Sequence, residues 1–181
     1  HLNAIDSFLA AGKPQQAEEY IRAVRSDIES ITPKRYCNNE LVNLLCSSFD
    51  GKAQRIGVRL EVDAKLPREL SVSETELCSV LSNALENALS AVSARAAGER
   101  WVSLYCGVRL GKLLIEIKNP CAEGFVLRDG LPPSDREGHG YGCRSIQTIA
   151  ERHGGLCEFR AVGGIFQLRL AIPIGTTQPT A

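Results

Sequence analysis

The chain has no methionine, a single tryptophan and no net charge, its 21 basic residues balancing 21 acidic ones. A neutral balance gives no long-range pull toward nucleic acid or an anionic membrane, so a charged ligand must be held by a local site. No apolar run approaches the roughly 18–20 residues that a helix needs to cross a bilayer, and no signal peptide opens the sequence. Seven cysteines (Cys37, Cys46, Cys78, Cys106, Cys121, Cys143 and Cys157) include no CxxC pair. That pattern argues against a zinc site or a disulfide framework and for reduced thiols packed as small hydrophobes. Internal repeats are also missing. The sequence begins without Met, in mid-helix, and reads as a piece of a longer protein, so the lack of a membrane span describes this stretch alone.

What is present suffices for one ordinary domain and a small appendage: 181 residues, 44% of them hydrophobic. Residues 1–32 read as a helical hairpin. Leu2, Ile5 and Leu9 keep a helical spacing, Gly12-Lys13-Pro14 breaks it, and Ala17, Ile21, Val24, Ile28 and Ile31 then form an a/d seam. Such a seam asks for a partner helix, either in a dimeric four-helix bundle or on the chain's own domain.

A domain over 38–174 follows. Asn38-Asn39 offers an N-cap for a helix to about Arg55, with Leu41, Leu44, Leu45, Phe49, Ala53 and Ile56 as its inner face. Val58, Leu60 and Val62 alternate with charged residues as a half-buried strand does, and Pro67 stops it. Ser73 and Glu76 make a capping box. Behind it, Leu77, Val80, Leu81, Ala84, Leu85, Ala88, Leu89 and Val92 hold a helical rhythm for over four turns. Strands are expected over about Arg100–Val108 and Lys112–Lys118, around a turn at Gly111. The stretch from Asn119 to Gly138 has no periodicity, and such long loops are commonly functional. A helix from about Tyr141 ends at His153-Gly154-Gly155, a glycine C-cap signal. Leu156–Arg160 and Ile165–Ile172 close the domain as a hairpin over Gly163-Gly164, leaving 175–181 as a frayed tail. This order predicts an α/β fold: a two-layer α/β sandwich with a mixed sheet covered on one face by helices, preceded by the hairpin.

Three motifs could carry chemistry. Asn83 and Asn87 stand one turn apart on the capped helix, on a face shared with Glu76, Ser79, Glu86 and Ser90. Side-chain oxygens so aligned suit a hydrated Mg²⁺ and its phosphates, although such a face is also ordinary solvated surface. Gly138-His139-Gly140-Tyr141-Gly142 opens the last helix, where free N–H groups and the helix dipole favour an anion; the plain alternative is a tight loop. Asn119, at the end of a strand, can accept a hydrogen bond from an adenine amino group or simply turn the chain before Pro120. The order of the three is the informative feature.

In that order the sequence resembles the GHKL ATPase superfamily, in particular its histidine-kinase branch. LSNALENALSAV (81–92) resembles the N box, and GHGYGCRSI (138–146) resembles the second glycine box. The GHG-x-G variant, followed by a basic residue and Ser-Ile, is similar to sensor kinases of the accessory-gene-regulator, peptide quorum-sensing type, as is Asn119 where most members have Asp. The first glycine box, usually DxGxG, is here NPCAEG, with Gly124 as the matching glycine.

The resemblance implies a Bergerat-type ATP-binding fold that uses ATP and Mg²⁺ and passes the γ-phosphoryl group to a histidine, then to a response regulator. It assigns Asn87 to Mg²⁺, Asn83 to the phosphate side, Asn119 to adenine, and Gly138, Gly140 and Gly142 to phosphate. His139, Tyr141 and Gly124 go with the nucleotide loops, Glu86 with polarising the acceptor, and 120–137 with an ATP lid. It also implies a homodimer through the N-terminal helices, a phosphoacceptor upstream of His1, and a cytoplasmic domain whose parent is anchored in a bacterial membrane by parts outside this stretch. Two other readings compete: a degenerate kinase serving as a dimeric docking scaffold, and a GHKL ATPase that hydrolyses ATP with water.

Overall fold

A computed structural model describes residues 2–31, 34–133 and 141–174. His1–Arg35 and Tyr36–Ala181 form two compact units. The first is a helical hairpin, α1 (Leu2–Ala10) and α2 (Pro14–Ile31). Its break lies where the sequence put it: Gly12 takes a φ of 68°, and Pro14 opens α2, where a missing N–H costs nothing. Phe8 and Tyr20 meet across the hairpin, and Ala17 is buried. Of the a/d seam, Ile21 is exposed, and the side chains of Val24, Ile28 and Ile31 lie outside the described set.

The second unit runs α3 (Glu40–Arg55), β1 (Arg59–Lys65), α4 (Glu74–Ser93), a short 3-10 turn η1 (Ala97–Glu99), β2 (Trp101–Arg109), β3 (Lys112–Pro120), α5 (Tyr141–Arg152), β4 (Leu156–Val162) and β5 (Ile165–Pro173). Asn39 caps α3, its Oδ1 accepting from Val42 N at 3.0 Å. The inner line of α3 is Val42, Cys46 and Ala53, with Leu41, Leu45, Phe49 and Ile56 at its margin. Leu44 is 70% exposed, contrary to the expected inner face. It stands two residues from both Val42 and Cys46, roughly 200° around the helix.

The sheet order is β1-β2-β3-β5-β4, with β1 parallel to β2 and every other pair antiparallel. The one parallel pair requires a crossover, and α4 supplies it. Strand alternation sets the core. Leu104, Ile117, Leu168 and Phe159 are successive cross-strand partners, buried on the face that receives the helices. All eight apolar residues expected on the inner side of α4 are buried there. The mixed sheet under one layer of helices is the α/β sandwich the sequence predicts.

The loop expected from Asn119 onward begins later than that. Asn119 and Pro120 belong to β3, paired with Phe166 and Ile165. Pro120 is tolerated because the pairing of β3 with β2 has already ended at Lys118, so no ladder on that side needs its N–H. The following segment also has local order: Phe125 N donates to Ala122 O, and Arg128 and Leu131 exchange backbone hydrogen bonds around Asp129 and Gly130.

Candidate functional site

The same alternation that builds the core also creates the site. Leu113, Ile115 and Ile117 face the helices, and the next inward position on β3 is Asn119. An amide is therefore carried into the apolar layer, only 1% exposed. Its Nδ2 donates to Pro120 O at 3.0 Å, which fixes the amide's orientation. Its Oδ1 is buried with no hydrogen-bond partner. Such an orphan costs roughly 1–3 kcal/mol, and it marks a position for a donor that the described residues do not provide.

Asn119 lines a cavity of about 470 Å³ between α4, α5, the ends of β3, β4 and β5, and the segment after β3. On α4, Ala84, Ala88 and Ala91 leave room, while Asn87 and Ser90 stand at the rim. Phe125, Phe159 and Phe166 form an aromatic wall, with Phe159 and Phe166 stacked at 6.2 Å and Phe125 edge-on to Phe166 at 5.9 Å. Flat apolar walls beside one unpaired acceptor suit a planar heteroaromatic ring that carries an amino group.

The polar end lies where α4 meets the start of α5. Asn87 Nδ2 donates to Cys143 Sγ at 3.4 Å. Burial pushes the Cys143 thiol up, and that hydrogen bond works in the opposite direction. Asn83 Nδ2 donates to Ser79 Oγ, which in turn lies 3.4 Å from Ser145 Oγ on α5. Gly142 fits between the two asparagines: a Cβ there would come within 3.3 Å of Asn83 Oδ1 and 3.4 Å of Asn87 Nδ2. Asn83, Asn87 and Gly142 are thus brought together.

Of the remaining expected residues, Gly138, His139 and Gly140 lie outside the described residues. Tyr141 is 76% exposed and off the cavity lining. Gly124 has a φ of 77° in the turn between two lining residues, Ala122 and Phe125, without lining the cavity itself. Glu86 is held by Lys52 of α3, whose Nζ donates to both carboxylate oxygens at 2.6 and 2.5 Å. Glu76 closes the far end of the α4–α5 contact, taking Ser73 Oγ at 2.7 Å, Arg152 at 3.0 Å and His153 at 3.1 Å. Its carboxyl lies below the ordinary value, first through Ser73 and then through His153. The expected capping box is therefore half-formed in backbone terms. Ser73 accepts from Glu76 N, whereas the Glu76 carboxylate serves the cap hydroxyl and α5.

Sequence reasoning missed the aromatic wall, Cys143 and Arg95, which lines the cavity near Cys121 while pairing with Glu99. Continuing the cross-strand register from Asn119 to Phe166 would have found part of the wall.

A family model described as GHKL domain matches residues 72–173, more than half of the chain. The chain belongs to the GHKL family. Among solved structures, this GHKL domain is similar to the nucleotide-free catalytic domain of the histidine kinase ThkA. The two are 18% identical with a TM-score of 0.58 over 74% of this chain and 90% of that one. It is likewise similar to the histidine kinase AdeS of Acinetobacter baumannii, 12% identical, TM-score 0.54, over 92% and 82% of the two chains. A histidine kinase from Burkholderia phymatum STM815 is 20% identical, TM-score 0.54, over 94% and 84%. At these identities the likeness is one of fold. No curated protein matches the GHKL chain in sequence.

The residues fit the nucleotide that GHKL domains use. Asn119 Oδ1 is an acceptor awaiting an amino group. Gly142 lets the start of α5 lie against Asn83 and Asn87 more closely than a side chain would allow. Asn87, its Nδ2 turned to Cys143, has an amide oxygen of the kind a hard cation binds.

Proposed function

We propose that this domain binds Mg-ATP and is the catalytic domain of a two-component sensor histidine kinase. The observation that carries the reading is the convergence on one cavity of a buried unpaired acceptor, Asn119, and of Asn87, which together with Asn83 packs on Gly142 at the start of α5. Asn119 would read the adenine amino group, the phenylalanine wall would hold the ring, and Asn87 would hold Mg²⁺. Asn83 and the backbone at Gly142 would face the phosphates, with Gly138 and Gly140 completing the loop. The metal's contribution when bound is to neutralise charge on the phosphates. The protein's share is to position the nucleotide, exclude water with the segment 120–137, and leave the γ-phosphoryl group open to an incoming imidazole.

The position one turn before Asn87 is Asn83, an amide engaged with Ser79. An amide cannot take a proton from water, which favours transfer to a histidine over hydrolysis. The acceptor would be a histidine upstream of His1 on the dimerisation helices, with onward transfer to a response regulator. The hairpin's exposed Leu9 and Ile21 support a second copy as its partner. The GHG-x-G variant and Asn119 favour the peptide quorum-sensing branch, whose membrane-anchored parent would place this domain in the cytoplasm.

The test is labelled ATP supplied to a chain extended N-terminally through its dimerisation helices, as wild type and Asn87→Ala. Phosphohistidine is expected in the first alone. Equal labelling in both would remove Asn87 from the mechanism, and no labelling in either, with nucleotide still bound, would favour the docking scaffold.

A further inference from the structure

Two of the seven thiols line the candidate nucleotide cavity, and they are differently exposed. Cys143 is buried behind Asn87, whereas Cys121 is partly open. Cys121 lies two residues beyond the unpaired Oδ1 of Asn119, and its backbone is fixed by a 2.8 Å hydrogen bond from its N–H to Gly164 O in the β4–β5 turn. It is thus held on the cavity wall beside a recognition atom. The guanidinium of Arg95 lines the same cavity. Its charge favours the thiolate, while partial burial, the larger effect, disfavours it. Such a thiol reacts with a small electrophile that enters the cavity and is held beside it.

We infer that Cys121 is a covalent modification site of this cavity, taking soft electrophiles of the α,β-unsaturated carbonyl class, and that its alkylation closes the cavity to nucleotide. The sulfur bonds to the β-carbon, the alkene π pair moves to the α-carbon, and the thiol's proton ends there. Nothing leaves, and no oxidant is needed. The added group would occupy space between Asn119 and the aromatic wall, where the purine would otherwise lie. The inference rests on the nucleotide reading above for its consequence, though not for the chemistry at sulfur.

The experiment treats the full chain with N-ethylmaleimide, with and without Mg-ATP, and locates the adducts by peptide mass spectrometry. Cys121 should be alkylated and protected about tenfold by nucleotide at about ten times its dissociation constant, by mass action. Cys37, Cys78 and Cys157, partly open but off the cavity, should be unprotected. Alkylation should abolish the melting shift caused by Mg-ATP, and in Cys121→Ser whatever shift remains should resist the reagent. An unreacted Cys121, or an adduct there that leaves the nucleotide shift intact, would overturn the inference. The nucleotide reading is scored separately: no Mg-ATP shift in untreated protein sinks that reading, and the labelling of Cys121 then decides the modification site on its own.

Discussion

Asn87 on α4 donates from Nδ2 to Cys143 Sγ on α5, 3.4 Å away. Sulfur is a weak acceptor, so the bond orients the amide without tying it down. The Oδ1 is the atom the proposed cation site would use, and α5 is packed by the residue after Gly142. Position and chemistry are thereby coupled: whatever moves the start of α5 also moves the proposed metal ligand.

Gly142→Ala tests that coupling. A Cβ would press on Asn83 and Asn87 at 3.3 and 3.4 Å, yet alanine is the better helix former by roughly 0.5–1 kcal/mol. Stability should be unchanged or slightly raised, while the melting shift with Mg-ATP falls severalfold. Equal shifts in wild type and variant would show that the asparagine pair does not face the nucleotide.

Glu76 joins the first turn of α4 to the last of α5, and its carboxyl titrates below the ordinary value through Ser73, His153 and Arg152. A group that binds protons more weakly when folded adds stability above its unfolded pKa, about 4.3. That stability drains as pH falls through the lower folded value. Wild type should therefore be the more stable protein above about pH 6, and its advantage over Glu76→Gln should shrink on acidification to about pH 3. Melting curves of the two that run parallel across this range would refute the assignment.

Leu110 and Gly111 form the β2–β3 turn with φ of 51° and 68°. Two successive positive values fit the turn that prefers Asn-Gly, and Leu110 is 92% exposed. Replacing it with Asn relieves a left-handed penalty of about 1 kcal/mol. The melting temperature should rise by about 2–4 °C. A lower melting point would mean that the Leu110 side chain stabilises the turn by more than its left-handed backbone costs.

The elements that a sequence can declare are those with local causes. The rhythm of α4, the glycine turns at Gly111 and Gly163-Gly164, and the caps at Asn39 and Ser73 each depend on neighbours in the chain. Asn83 and Asn87 could be paired for the same reason. What stayed hidden depends on strand register and on helix-to-helix distance. Asn119 could be placed at a strand end, but its burial in the core follows from its pairing with Phe166. Glu86 looked free until α3 brought Lys52 to it. Leu44 looked internal because leucine is apolar, while the direction of the core was set by the Val42 and Cys46 line.

Asn119 also provides the sharpest separation of stability from binding. Its buried Oδ1 has no partner, and its Nδ2 has one, the Pro120 carbonyl. Asn119→Leu keeps nearly the same volume, removes the orphan acceptor, and leaves that carbonyl without its donor. The two effects, each about 1 kcal/mol in size, oppose one another, so the variant should be within about 1 kcal/mol of wild type or slightly more stable. Saturating Mg-ATP, at about 100 times its dissociation constant, should stabilise wild type by roughly 2.7 kcal/mol, a rise of about 5–10 °C. In the leucine variant that rise should vanish, because a purine amino group entering the cavity would no longer meet the Oδ1 acceptor. Asn119→Asp retains an acceptor and should retain most of the shift. Should leucine respond to nucleotide as wild type does, Asn119 is a structural residue, and adenine, if it binds, is read elsewhere.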